Sequence, residues 1–93
     1  MEFEWNPRRA EQNLRKHKVS FGEAATVFND AVGVTVPDPD HSEDENRYII
    51  IGMSNISRIL IVAFAERGDR IRFISARELT RKERKAYEEE DKG

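Results

Sequence analysis

The chain has 93 residues, of which 37% are charged and 38% are hydrophobic, and its formal net charge is −2. A chain of this length is expected to form one domain over residues 1–93, and it is too apolar and too periodic for a disordered chain. The absence of cysteine excludes disulfides, zinc–thiolate sites and cysteine nucleophiles. Since no apolar run approaches the roughly 18 residues that span a bilayer, we expect a cytoplasmic protein without a membrane segment.

The first third of the chain predicts a short strand followed by two helices. Residues 3–5 are the strand candidate, and Asn6 with Pro7 marks a helix N-terminus because proline fits the first helical position. This helix is expected to end near Lys16. Its inward face is predicted at Ala10, Asn13 and Leu14. Ser20 and Glu23 have the spacing of a capping box, which predicts a second helix through residue 28.

The remainder of the chain changes to a strand pattern and then ends in a helix. Strands are predicted at residues 32–36, 47–53, 58–66 and 70–76. Turn residues between the last three strands indicate an antiparallel meander. Thr80 and Glu83 form a second capping-box pattern, which opens a helix to about residue 90. The order β-α-α-β-β-β-β-α predicts an α+β fold, with a twisted antiparallel sheet covered by helices.

The last strand and the last helix carry a concentration of basic residues. From Arg67 to Lys85 there are eight Arg or Lys residues against three acids, although the whole chain is slightly acidic. Segregated positive charge on an acidic protein indicates a polyanionic partner or a strongly acidic protein partner.

Several other kinds of site find little support in the sequence. No glycine-rich nucleotide loop and no Gly-x-Ser-x-Gly elbow is present. The acidic loop after the second strand offers four possible metal ligands, namely Asp38, Asp40, His41 and Asp44. That loop lacks the EF-hand spacing and its glycine, so a solvated acidic turn is favoured and no metal or cofactor is predicted.

A cationic site on the sheet fits RNA cleavage. When the 2′-OH of RNA is the nucleophile, the reaction needs a base, an acid and cations that stabilise the phosphate, and arginine binds phosphate through its planar fork. The candidates on or beside the sheet are Arg47, Arg58, Arg67, Arg70, Arg72, Arg77 and Arg81, with Lys16, His17, Tyr48 and Glu66 as possible neighbours. The alternative for each arginine is a surface ion pair with a nearby acid, which contributes only about 0–1 kcal/mol. A helix-terminal histidine such as His17 also interacts favourably with the helix dipole, without any catalytic role.

Several motifs together resemble the BrnT family of type II toxin–antitoxin toxins. They are KH-x-VSF-x-EA from residue 16, HS-x-x-E-x-R from residue 41, IG-x-S from residue 51 and ISAR from residue 74. The resemblance covers nearly the whole chain. It implies a small RelE-like α+β fold and a ribonuclease that suppresses translation without a metal or cofactor. It also implies a BrnA-like antitoxin with a ribbon-helix-helix domain, which forms a 2:2 heterotetramer with the toxin and alone contacts promoter DNA.

The same resemblance suggests which residues carry the chemistry. His17 would act as general acid or base, Arg77 and Arg81 would bind the scissile phosphate, and Lys16 and Arg47 would assist. The remaining RNA contacts are expected at Arg58, Arg67, Arg70 and Arg72. The alternative function is a module that no longer cleaves RNA and docks an acidic partner or acts as a corepressor.

Two positions depart from the family pattern. Asn6 replaces the usual aspartate at a helix N-cap, which is a chemically quiet change. Lys18 occupies a position that is usually glycine, directly after His17. If Lys18 ends the helix in the left-handed region, a residue other than glycine costs about 1 kcal/mol there.

Overall fold

The computed structural model describes residues 1–41 and 46–91, with side chains as far as residue 89. Its elements are β1 (Glu2–Glu4), α1 (Pro7–His17), α2 (Phe21–Thr26), a 3₁₀ turn (Val27–Asn29), β2 (Val34–Pro37), a second 3₁₀ turn (Pro39–His41), β3 (Arg47–Met53), β4 (Ile59–Arg67), β5 (Arg70–Glu78) and α3 (Arg81–Asp91). The predicted α+β class and element order are confirmed. No helix in the part of the chain that the structure describes has the length and apolar character needed to cross a membrane.

The five strands form one mixed sheet in the order β1-β5-β4-β3-β2. The predicted antiparallel meander of β3, β4 and β5 is confirmed, and β2 adds antiparallel to β3. Only β1 differs from the expected antiparallel pattern. It pairs parallel to β5, with Phe3 opposite Ile71. The sheet is therefore antiparallel except at the edge where the N-terminus joins it.

One face of the sheet packs against α1 and α2. Alternate residues of the strands point to this face, so Tyr48, Ile50, Val62 and Phe64 form a continuous apolar patch. The helices contribute Val19, Phe21, Ala24 and Val27. Each fully buried aliphatic or aromatic side chain stabilises the fold by about 1.5–3 kcal/mol, so this core supplies most of the favourable free energy.

Asn13 fixes α1 beside the edge of β5. Its buried side-chain amide donates to the carbonyls of Val19, at 2.9 Å, and Ala76, at 2.8 Å. Its side-chain oxygen accepts from the Ala76 N–H at 3.0 Å. Asn13 thus satisfies the backbone of β5 beyond the point where β1 ends, as a neighbouring strand would. Leu14, which was predicted to face inward, is 50% exposed instead.

The three predicted helix starts differ in detail. Asn6 caps α1, because its side-chain oxygen accepts from the Arg8 N–H at 2.8 Å. The capping box of α3 is complete, since Thr80 and Glu83 each accept from the backbone N–H of the other. At α2 only the Ser20 half is present, with Ser20 Oγ accepting from the Glu23 N–H at 3.0 Å. The Glu23 carboxylate turns instead toward Arg58, the residue directly before β4.

A β-bulge interrupts the pairing of β4 and β5. Ala63 lies opposite Ser75 and Phe64 lies opposite Phe73, so Ile74 is an extra residue on β5. Bulges bend a strand and redirect its side chains, and they are common next to functional sites. Here the bulge lies where the exposed surfaces of α1, β3 and β5 come together.

Candidate active site around the Ile74 bulge

Three depressions meet at Ile74, which lines all of them. The largest, of about 440 Å³, is called the arginine depression, because Arg9, Arg47, Arg67 and Arg72 line it, with Glu66 as the one acid among the described residues of the lining. Four guanidinium groups around one space attract an anionic chain, and each presents a fork that matches phosphate oxygens.

The second depression lies between α1 and β5 and is called the His17 depression. It measures about 160 Å³, and its α1 lining includes Arg9, Asn13, Lys16 and His17. Arg9, Asn13 and Lys16 fall at positions i, i+4 and i+7, so one helix face presents them toward Ile74. Lys16 is exposed and His17 is half-buried. The two residues predicted from the Lys-His motif therefore lie together.

Arg9 was missed as a site residue, although it lines both the arginine depression and the His17 depression. The signal that identifies Arg9 is its helical spacing from Asn13 and Lys16, which places it on the face that Asn13 holds against β5.

The third depression, called the His41 depression, measures about 230 Å³. Arg47 and Arg77 line it together with Ser75, Asp38 and His41. Arg47 belongs to this depression and to the arginine depression, so it links the two. Two predicted catalytic arginines are thus brought together, next to a histidine that the sequence analysis assigned to a solvated turn.

Asp38 and His41 are held against each other by the second 3₁₀ turn. His41 Nδ1 lies 3.3 Å from Asp38 Oδ2, and the His41 N–H donates to the Asp38 carbonyl at 3.2 Å. Residues three apart on a 3₁₀ helix lie on the same side of it. The sequence signal for this pair is the spacing Asp-x-x-His, with Pro37 directly before it and Pro39 inside it, because prolines at these positions favour a fixed turn.

This pairing also bears on the metal alternative for the acidic loop. Among the described residues, no group of three or more His, Asp or Glu side chains is arranged to hold a metal ion. Asp44, the fourth ligand considered from the sequence, lies outside the described residues.

Arg77 is engaged by α3. Its guanidinium binds both carboxylate oxygens of Glu83, at 2.8 and 3.0 Å, and donates to the Glu78 carbonyl at 3.2 Å. Glu83 Oε1 also accepts from the Thr80 N–H at 2.9 Å. The hydrogen bonds from Arg77 and then from the Thr80 backbone lower the pKa of Glu83 to about 2. A phosphate at Arg77 must therefore compete with Glu83.

Arg58 lies away from these depressions, in the corner between α2 and β4. Its guanidinium binds both oxygens of Glu23, with Nε 2.9 Å from Oε2, and donates to the Lys18 carbonyl at 2.9 Å. Ser54 Oγ also donates to Glu23, at 2.6 Å. The Arg58 hydrogen bond is the main cause that lowers the pKa of Glu23, and the same contact raises the pKa of Arg58. Arg58 thus joins α2 to the sheet, and its guanidinium is already occupied.

The remaining predicted RNA contacts divide into two groups. Arg67 and Arg72 line the arginine depression, and Arg72 Nη1 also lies 3.2 Å from Glu4 Oε2. Arg70 lies outside the three depressions and forms an exposed ion pair with Glu2 at 3.4 Å. Arg81 is exposed at the start of α3, also outside them. Six predicted residues therefore surround Ile74, and three do not. The six are Lys16, His17, Arg47, Arg67, Arg72 and Arg77.

Comparisons with known proteins agree with the fold and the motifs. Residues 5–83 match the family described as "Ribonuclease toxin, BrnT, of type II toxin-antitoxin system". The 1.1 Å crystal structure of the Brucella abortus ribonuclease toxin BrnT superposes with a TM-score of 0.70 at 21% sequence identity, over 87% of this chain and 99% of that one. No curated protein matches in the sequence comparison. With the family model matching most of its length, the chain belongs to the BrnT family of ribonuclease toxins of type II toxin–antitoxin systems.

Proposed function

We propose that this chain is a toxin endoribonuclease that cleaves RNA without a metal or cofactor and thereby inhibits translation in the cytoplasm. The observation that carries the proposal is the meeting of three depressions at Ile74, lined by five arginines, one lysine and two histidines. Membership in a family of ribonuclease toxins supports the same reaction. Arginines that stay charged can stabilise a crowded phosphate, and histidines can transfer protons near neutral pH.

In this proposal the RNA backbone crosses the Ile74 bulge. Arg67 and Arg72 bind flanking phosphates in the arginine depression, and Arg47 holds the scissile phosphate where two depressions join. His17 acts as general acid or base, with Lys16 beside it adding positive charge. Arg77 contributes when phosphate replaces Glu83 on its fork.

The other predicted residues take lesser roles. Arg58 is assigned to the fold, because its guanidinium is held by Glu23. Arg70 and Arg81 would contact RNA only outside the depressions, where water screens their charges.

The proposed partner is a BrnA-like antitoxin with a ribbon-helix-helix domain, in a 2:2 heterotetramer that contacts promoter DNA through the antitoxin. An acidic segment of such a partner would neutralise the arginine depression and exclude RNA from it. Cleavage and antitoxin binding should therefore compete for one surface.

The second candidate is a module that does not cleave RNA and docks an acidic partner or acts as a corepressor. The specific observation in its favour is the bidentate contact of Arg77 with the Glu83 carboxylate. The site already binds a carboxylate, and a partner carboxylate could take its place.

A fluorescent RNA oligonucleotide, incubated with purified protein in EDTA, tests the first candidate. We expect cleavage by the wild type and a loss of about 100-fold or more in kcat for His17→Ala, the range that acid–base residues contribute. We expect Arg77→Ala to lower kcat by about the same factor, because the phosphate is stabilised less well in the transition state. Arg15→Ala is the matched control for α1, since Arg15 is exposed and paired with Glu11.

Equal cleavage by all variants would show that the assigned residues are wrong. If wild-type protein that is purified free of contaminating nucleases cleaves no RNA, the proposed ribonuclease activity is wrong. In that case, two results would favour the docking module. The chain would still form a complex with the BrnA-like antitoxin, and induced expression of the chain would not arrest the growth of cells.

A further inference from the structure

We propose that Asp38 and His41 form the general-base pair of the site, with His41 taking the proton from the attacking 2′-OH and Asp38 positioning the ring. The inference rests on the proposed ribonuclease function. It divides the acid–base work between two histidines, one in each of two depressions that meet at Ile74.

The carboxylate of Asp38 is built into the fold rather than placed on the surface. Only 8% of its side chain is exposed. Oδ1 accepts from the Asp40 N–H at 3.0 Å, and the Asp38 N–H donates to the Arg47 carbonyl at 3.0 Å, which joins the turn to the first residue of β3. The second carboxylate oxygen, Oδ2, lies 3.3 Å from His41 Nδ1. A fixed acceptor at this position holds the imidazole in one orientation.

The same contact selects the tautomer of His41. A carboxylate accepts hydrogen bonds, so in the neutral ring Nδ1 carries the proton and Nε2 keeps its lone pair. That is the form of histidine needed to take a proton from a hydroxyl, and a buried aspartate holds the ring of the serine-protease histidine in the same way. His17 differs, because no carboxylate among the described residues forms a hydrogen bond or ion pair with it. His41 is therefore the better-positioned base.

His41 also has access to substrate and lies beside the cations that the reaction needs. Its side chain is 46% exposed, and it lines the same depression as Arg47 and Arg77. The His41 depression and the His17 depression both include Ile74. In the proposal, a phosphate bound by Arg47 beside Ile74 lies between the two histidines.

In the proposed step, His41 gains one proton and His17 loses one. Nε2 of neutral His41 takes the 2′-OH proton while the 2′-oxygen forms a bond to phosphorus. The bond from phosphorus to the 5′-oxygen breaks, and that oxygen takes a proton from protonated His17. The products are a 2′,3′-cyclic phosphate and a free 5′-OH. The enzyme is left with protonated His41 and neutral His17, and proton exchange with water restores both.

The experiment measures kcat and KM for cleavage of a fluorescent RNA oligonucleotide in EDTA, with wild type, His41→Gln and Asp38→Asn. Binding is measured separately with the 2′-O-methylated form of the same RNA, which cannot be cleaved. Asp69→Asn is the matched control, because Asp69 is an exposed aspartate in the turn between β4 and β5. Imidazole ¹⁵N chemical shifts report the tautomer of His41 in wild type and Asp38→Asn.

We expect His41→Gln to lower kcat by about 100-fold or more, with KM and 2′-O-methyl RNA binding changed by less than about threefold. Asp38→Asn should lower kcat by about 10- to 100-fold and shift His41 toward the tautomer with its proton on Nε2, since the amide can donate to Nδ1. If Asp38 served only the fold, Asp38→Asn would lower kcat by lowering the melting temperature. It would not move the proton of His41 from one ring nitrogen to the other while the melting temperature stayed that of wild type.

The proposal is overturned if His41→Gln cleaves as fast as wild type while His17→Ala does not, a result that leaves the ribonuclease function intact. It is equally overturned if Asp38→Asn loses activity only in proportion to its loss of folded protein, with the His41 tautomer unchanged. Wild type that cleaves no RNA removes the ribonuclease function and this pair with it.

Discussion

The corner between α2 and β4 and the depressions around Ile74 use arginine in opposite ways. In the corner, Arg58 is 24% exposed at its side chain and is held by a Glu23 carboxylate that is 8% exposed. In the arginine depression, four arginines share a space of about 440 Å³, and Glu66 is the acid that the described part of the chain contributes to its lining. A guanidinium enclosed by a buried carboxylate holds the fold together, whereas a group of guanidiniums facing one open space attracts an anion. Arg58 is thus held by the carboxylate of another element, whereas the arginines of the depression share one open surface.

We expect the largest effect, a loss of free energy of unfolding, from Arg58→Ala in the corner between α2 and β4. Removing Arg58 leaves the Glu23 carboxylate buried without its main partner, and breaking such a pair costs about 3–5 kcal/mol. Urea unfolding measures the loss of free energy, and Arg70→Ala is the control, because the exposed Arg70–Glu2 pair contributes about 0–1 kcal/mol.

The double variant Glu23→Gln/Arg58→Ala should recover part of that loss, since no unpaired charge remains. The folded fraction of Arg58→Ala should bind 2′-O-methyl RNA as wild type does. Weaker RNA binding at unchanged stability would show instead that Arg58 belongs to the RNA surface, as the sequence analysis predicted.

Apart from the parallel pairing of β1, the fold was predictable because its signals are local. Strand alternation, proline after Asn6 and the Thr80–Glu83 capping box all act within a few residues. The partner of Arg58 was not predictable in the same way. Glu23 has the spacing of a capping box with Ser20, but tertiary structure directs its carboxylate to a residue 35 positions later. The Asp38–His41 contact is local, yet only its enclosure by the fold distinguishes it from a solvated turn.

Arg77 lies between the two regions, since it lines a depression but is also held by Glu83. The pKa of Glu83 is lowered to about 2 in the folded protein, so its ionised form stabilises the fold fully above the usual value of 4.5. This contribution is lost as pH falls from about 4.5 to about 2. We expect the stability of wild type to decline over that window, and Glu83→Gln to show a smaller decline.

At neutral pH, Glu83→Gln should cost about 1 kcal/mol, because the side chain is partly exposed and the change weakens one cap and one ion pair. It should also strengthen RNA binding, since Arg77 no longer has a charged competitor. Urea unfolding at pH 5 and pH 3 tests the first expectation, with Glu88→Gln in the exposed Arg84–Glu88 pair as control. If the free energy of unfolding falls equally between pH 5 and pH 3 in wild type and in Glu83→Gln, Glu83 does not cause the loss of stability in acid.

The smallest expected effect concerns Lys18, which joins the two regions through its backbone. Lys18 has φ 62° and ψ 29°, its N–H donates to the Leu14 carbonyl at 2.9 Å, and its own carbonyl accepts from Arg58. Lys18→Gly keeps both backbone hydrogen bonds and removes left-handed strain of about 1 kcal/mol, while a more flexible unfolded chain offsets about 0.4–1 kcal/mol of the gain. We therefore expect a net stabilisation of at most about 0.5 kcal/mol by urea unfolding. Ser57→Gly, at φ 64° in a turn far along the chain from His17, is the matched control and should gain a similar amount. If Lys18→Gly changes RNA cleavage and Ser57→Gly does not, the placement of His17 depends on the residue that ends α1. Lys18 would then contribute both to the structural corner, through its carbonyl, and to the site, through His17.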